Sequence, residues 1–135
     1  MVVETSPAAE LFLIGRVLLG GVLAYLGISN MLDAENKIEY ARSTGVPVAG
    51  LAVPVSFVLL IGGGLGILLG VYPVIASVGV IAFFAGVTPA MHAFWRIDDP
   101  DERSQEKTQF LVNLALLGSA LIVLAVGTAT WPYAA

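Results

Sequence analysis

Few side chains in this sequence can do chemistry, and three of them stand inside long apolar runs: Arg16, His92 and Asn113. An ionisable group in a membrane-spanning helix costs a few kcal/mol, so it usually faces a bundle interior or a wet cavity and has a partner. Arg16 lies roughly 10 Å along its run from Ala9 at 1.5 Å per residue. Two readings follow for it. Its long stem can carry the guanidinium to the headgroups on the terminal side, or the group is buried in a structural or ligand-binding role. Glu10 falls on the wrong face to be a strong partner, and carbonyls freed by Pro89 are candidate acceptors. His92 and Asn113 form a second pair, each about one turn from the end of its run, at similar depth. They can hydrogen-bond across two helices as simple glue. Alternatively, with Phe94, Trp95 and Phe110 they line a shallow pocket in which His92 binds a quinone-like headgroup or a proton. Arg16 is distant from this pair, so the three do not make one site. Thr88-Pro89 adds a helix-breaking proline that is expected to kink the chain near Ala85 or Gly86 and open space beside His92.

What is missing narrows the chemistry further. There is no cysteine, which removes disulfides, iron–sulfur ligation, thiolate zinc sites and thiol redox catalysis. The single histidine rules out a bis-histidine haem within one chain, and no metal site is expected. A pI near 4.7 argues against nucleic acid as a partner. No residue is assigned as catalytic, and the chain is not expected to be an enzyme by itself.

The elements that must position these residues are membrane helices. Of the 135 residues, 58% are hydrophobic and 12% charged, against roughly a quarter charged in a soluble domain. The apolar residues gather into four runs, expected as helices over about 8–32, 47–71, 74–95 and 108–131, each near the ~20 residues a bilayer requires. In lipid such runs form helices, because every backbone polar group must be satisfied internally. The expectation is a single multi-pass domain in the cell membrane: an antiparallel four-transmembrane-helix bundle. Glu4 and Glu10 make the amino terminus acidic, which together with the length of the first run reads as a mature helix rather than a signal peptide. Asp33 to Gly45 reads as a short interfacial helix, with Ile38 and Ala41 on its apolar side. Tyr72-Pro73 makes a tight hairpin, and Asp98 to Glu102 reads as an exposed turn.

Both charged links fall on one side of the membrane. They hold all five Lys and Arg outside the runs (Lys37, Arg42, Arg96, Arg103, Lys107), which favours cytoplasmic links and outward termini. Eight of the ten acidic residues share them. Gly62, Gly66 and Gly70, every fourth residue, are expected to form a helix-packing stripe, within the chain or against a second copy. Tyr25, Trp95, Trp131 and Tyr133, near run ends, read as interfacial anchors.

With these residues in place, the chain resembles the DoxX family of small four-helix membrane proteins. The likeness lies in Gly15-Arg16 with Leu19-Gly20, in Gly45-Val46-Pro47, and in Gly62-Gly-Gly-Leu-Gly66 followed by Leu69-Gly70. It continues with His92-Ala-Phe94-Trp95 and Phe110-Leu-Val-Asn113-Leu-Ala-Leu-Leu-Gly118. One departure is Asn30-Met31, where the family pattern ends the first helix with Gly-x-x-Lys; Gly27 and Ser29 remain and the lysine does not. The resemblance implies a bundle associated with membrane redox systems, beside other subunits. It implies an accessory subunit of a quinone-linked oxidoreductase complex, with His92, Asn113, Trp95 and Phe94 near a quinone or partner contact. The alternatives are a non-enzymatic membrane chaperone or assembly factor, as among distant eukaryotic relatives, and a small transporter built around Arg16.

Overall fold

The computed structural model describes residues 7–135; Glu4 lies outside them. Five α-helices follow in order: α1 (Ala8–Leu32), α2 (Ala34–Ser43), α3 (Ala49–Leu69), α4 (Pro73–Met91) and α5 (Pro100–Ala125), with a 3₁₀ turn at Phe94–Arg96 between the last two. Four segments are long and apolar enough to cross a membrane: α1, α3, Pro73–Arg96 and α5. At 25 residues, α1 measures about 37 Å, enough for a hydrocarbon core of ~30 Å. The chain is an antiparallel four-helix membrane bundle, with α2 as the short helix between the first two spans.

Local chemistry explains the turns. Gly70 ends α3 in the left-handed conformation (φ 72°), and Val71 N–H bonds back to the Gly66 carbonyl, which closes the helix end. Tyr72 is also left-handed (φ 46°), and Pro73 opens α4, where its missing N–H is no loss. The amphipathic α2 turns Ala41 inward against Ala49, Val53 and Phe57.

Two boundaries depart from the hydropathy reading. α5 begins at Pro100, not near 108. The Asp99 side chain accepts the Glu102 N–H at 3.0 Å, Pro100 occupies the first turn, and Asp101 and Glu102 complement the helix dipole. The acidic link is therefore largely helix standing out of the bilayer; hydropathy marks where lipid begins, not where a helix begins. At the other end α5 stops at Ala125, and residues 126–135 fold back toward α1. Trp131 is buried in that tail, its indole N–H bonded to the Val126 carbonyl at 2.8 Å, so it is not an interfacial anchor. Tyr25, Trp95 and Tyr133 are exposed.

The spans form a row in which α1 packs on α3, α3 on α4 and α4 on α5, while α1 and α5 do not pack along each other. The core gathers Leu23, Leu60, Ile67, Val80, Phe83, Phe84 and Ala120. Close approach extends to glycines beyond the expected stripe, and of the stripe it involves Gly66 and Gly70 but not Gly62. A Cβ on Gly64 would meet Ala24 N and Gly20 O at 2.7 Å, and one on Gly63 would meet Ala76 O at 2.8 Å. Gly62 faces open space. Because α3 has neighbours on two sides, adjacent glycines serve α1 and α4 separately, and a single four-residue stripe does not describe the contact. Gly66 does sit against Ala76 in α4, while Gly70 meets the tail at Ala134.

Candidate functional site

The unpacked side between α1 and α5 is backed by a cavity of about 920 Å³, toward the upper end of small-molecule sites at roughly 300–1,000 Å³. Its walls divide by chemistry. Leu23, Phe57, Leu60, Phe83, Phe84 and Leu116 make an apolar interior; Asn30, Asp33, Lys37, Tyr40, His92, Glu106, Gln109 and Asn113 gather at the charged-link end. From Glu106 to Leu116 the cavity follows α5 for about 15 Å, reaching from the surface to near mid-membrane.

The polar wall is built by helical spacing. Glu106, Gln109 and Asn113 are three and four residues apart, so they share a face of α5. Gln109 donates its side-chain N–H to Asn113 Oδ1 at 3.1 Å, and Asn113 is buried. Opposite them, Pro89 lacks the N–H that would bond one turn back, and α4 ends at Met91. His92 stands just past that end, with Nδ1 2.8 Å from Glu106 Oε2. Thus His92 and Asn113 do line one cavity, but the direct partner of His92 is Glu106. Pro89 lies inside α4, which ends two residues later at Met91, and the buried Thr88 hydroxyl has no hydrogen-bond partner among the described residues.

Tyr40 of α2 donates to the Met91 carbonyl at 3.1 Å, pinning the interfacial helix over the end of α4. Burial pushes its phenol above the ordinary range, and the charges of Glu106 and Glu102 push the same way.

Phe94 and Trp95 are elsewhere. Beyond Met91 the chain turns through the 3₁₀ segment and lays both rings against Phe110, with centroids 5.4–5.7 Å apart. This aromatic cluster is not among the cavity walls, so the expected pocket of His92, Phe94, Trp95 and Phe110 is replaced by one lined with Phe57, Phe83 and Phe84. Glu106 is the residue that hydropathy reasoning missed, since it falls just before the fourth apolar run, among the charges of the link. The signal for it was present: once α5 is started at its Asp99 cap, Glu106 falls on the face of Asn113. Among the described residues, no cluster of three or more His, Asp or Glu is arranged to hold a metal.

Arg16 lies at the opposite end and is 1% exposed. Its guanidinium donates to the carbonyls of Ile67 (3.1 Å) and Leu68 (3.1 Å) in the last turn of α3. It also donates to those of Pro132 and Tyr133 (3.3 Å) in the tail. The rings of Phe12 and Trp131 lie 5.7 and 5.2 Å from it. Of the two readings, snorkelling fails and burial holds. The acceptors are carbonyls of a helix end and the tail, not those near Pro89.

No curated protein and no solved structure matches the sequence. A family model described as DoxX matches residues 11–93, from the second turn of α1 through His92 and short of the α5 wall with Glu106 and Asn113. With this match over more than half of its length and four apolar spans, the chain is a multi-pass membrane protein that belongs to the DoxX family.

Proposed function

We propose that this protein is an accessory subunit of a quinone-linked oxidoreductase complex of the cell membrane, holding a quinone in the cavity between α1 and α5 while partner subunits carry the electron-transfer cofactors. The observation behind this reading is the two-part cavity, polar at the charged-link end and apolar toward mid-membrane. A quinone has the same division: a ring with two oxygens and an apolar tail. The Asn113 amide N–H₂, whose neighbouring Oδ1 is taken by Gln109, can donate to a ring oxygen, with His92 as the second polar contact. The test is binding of a quinone, in its oxidised and hydroquinone forms, by the full-length protein and its His92→Ala variant in lipid nanodiscs. The variant is expected to bind the hydroquinone form at least about tenfold more weakly, with unchanged thermal unfolding. A loss confined to thermal stability would make His92 structural glue. Co-purification in mild detergent should bring down a flavin- or haem-bearing partner. A cofactor-free isolate, with quinone reduction unaffected by deletion, would overturn the proposal.

A membrane chaperone or assembly factor is the second reading, and α5 favours it: only Asn113 and Ala120 of its 26 residues are buried, leaving most of its surface for lipid or another protein's helix. Loss of one client protein on deletion would support it. The transporter reading loses its main support, because Arg16 is spent on backbone carbonyls.

A further inference from the structure

The polar end of the cavity bears on which redox form of a ring it would hold. A short contact between a carboxylate and an imidazole needs one proton between them. A carboxylate oxygen offers only lone pairs, so it accepts and the ring N–H donates. With Glu106 Oε2 2.8 Å from Nδ1, the proton sits on Nδ1, so in the neutral ring Nε2 carries a lone pair and no proton. Across the wall, Gln109 donates to Asn113 Oδ1, which leaves the Asn113 amide N–H₂ as a donor. His92 and Asn113 thus offer one acceptor and one donor. A hydroquinone hydroxyl can donate to Nε2; a quinone oxygen can only accept, and would set its lone pairs against that of Nε2.

We infer that Glu106 is a positioning residue which, by holding His92 as the Nδ1–H tautomer, makes the cavity select a hydroquinone over the corresponding quinone. The inference rests on the quinone reading of the cavity and adds the form that is bound and the residue that sets it. Glu106 acts through His92 and needs no contact with the ring.

His92 is the only histidine in the chain, so ¹⁵N-histidine labelling of the full-length protein in nanodiscs reports this one imidazole. The neutral ring is expected to show a protonated Nδ1 and a bare Nε2, and Glu106→Ala should give a mixture of tautomers. Under anaerobic conditions a short-tailed benzohydroquinone should shift the Nε2 resonance and bind about tenfold more tightly than its benzoquinone, a preference falling below about threefold in Glu106→Ala. A wild-type ring protonated on Nε2 would overturn the inference at its root. The expected tautomer with equal binding of both forms would refute the selection alone. The expected tautomer with neither form bound would refute the quinone reading, and the selection with it.

Discussion

Replacing Arg16 with methionine keeps much of the side-chain volume and removes the charge and every donor. Four carbonyls then lose a partner, two at the end of α3 and two in the tail. Hydrogen bonds to a charged group contribute roughly 1.5–3 kcal/mol each, though not additively, and the negative end of α3 also loses a facing cation. Against this, a buried guanidinium no longer has to be desolvated. Breaking a buried charged network typically costs about 3–5 kcal/mol. The lower end applies here, because what remains buried is a set of dipoles rather than an unpaired charge. The expected loss is therefore about 3 kcal/mol, or roughly 150-fold in the unfolding equilibrium. Arg16→Lys should fall between, since a single ammonium cannot span carbonyls on two segments as a planar fork does. The assay is denaturant unfolding in detergent micelles in a Trp95→Phe background, where Trp131 becomes the sole tryptophan. Arg16→Met should move Trp131 emission to the red and expose residues 126–135 to protease, because Trp131 packs edge-to-face against Phe12 at 5.0 Å beside the guanidinium. Stability within about 1 kcal/mol of the parent, with unshifted emission, would refute the clamp and restore the snorkelling arginine.

Gly64→Ala should destabilise by about 1–3 kcal/mol, since its methyl would meet backbone atoms of α1 at 2.7 Å. Gly62→Ala should be near neutral, because nothing lies within 4 Å, and equal losses in thermal unfolding would show the α1–α3 register to be wrong. Tyr40 should titrate above the ordinary phenol value of ~10, read as the phenolate absorbance difference between wild type and Tyr40→Phe. Its raised pKa means that the neutral phenol stabilises the fold below that ordinary value and the contribution is lost as pH climbs through the raised one. Glu106→Gln should bring the midpoint partway down; a wild-type midpoint at or below the ordinary value would contradict the placement of α2 over α4.

Much of the architecture follows from composition and run length alone. Uncharged stretches such as Val46–Val71 have one stable form in lipid, and Tyr72-Pro73 allows only a hairpin between neighbouring runs. The motifs around Gly15-Arg16 and His92 also sufficed for the DoxX resemblance, and the family match over residues 11–93 agrees with it. The site was legible only in part. His92 and Asn113 stood out because polar groups are rare in the membrane, whereas Glu106 was hidden among other charges whose helical phase depends on a cap at Asp99.

Residue type by itself determined which groups had to find partners: Arg16, His92 and Asn113 are costly in lipid wherever they point. The tertiary structure decided which partners they found. The Arg16 acceptors lie more than fifty residues away along the chain, and hydropathy carries no information about long-range pairing or about the return of residues 126–135 over α1. Likewise the cavity exists because α1 and α5 are left apart at the two ends of a row. That spacing is a property of how whole helices pack, not of any one of them.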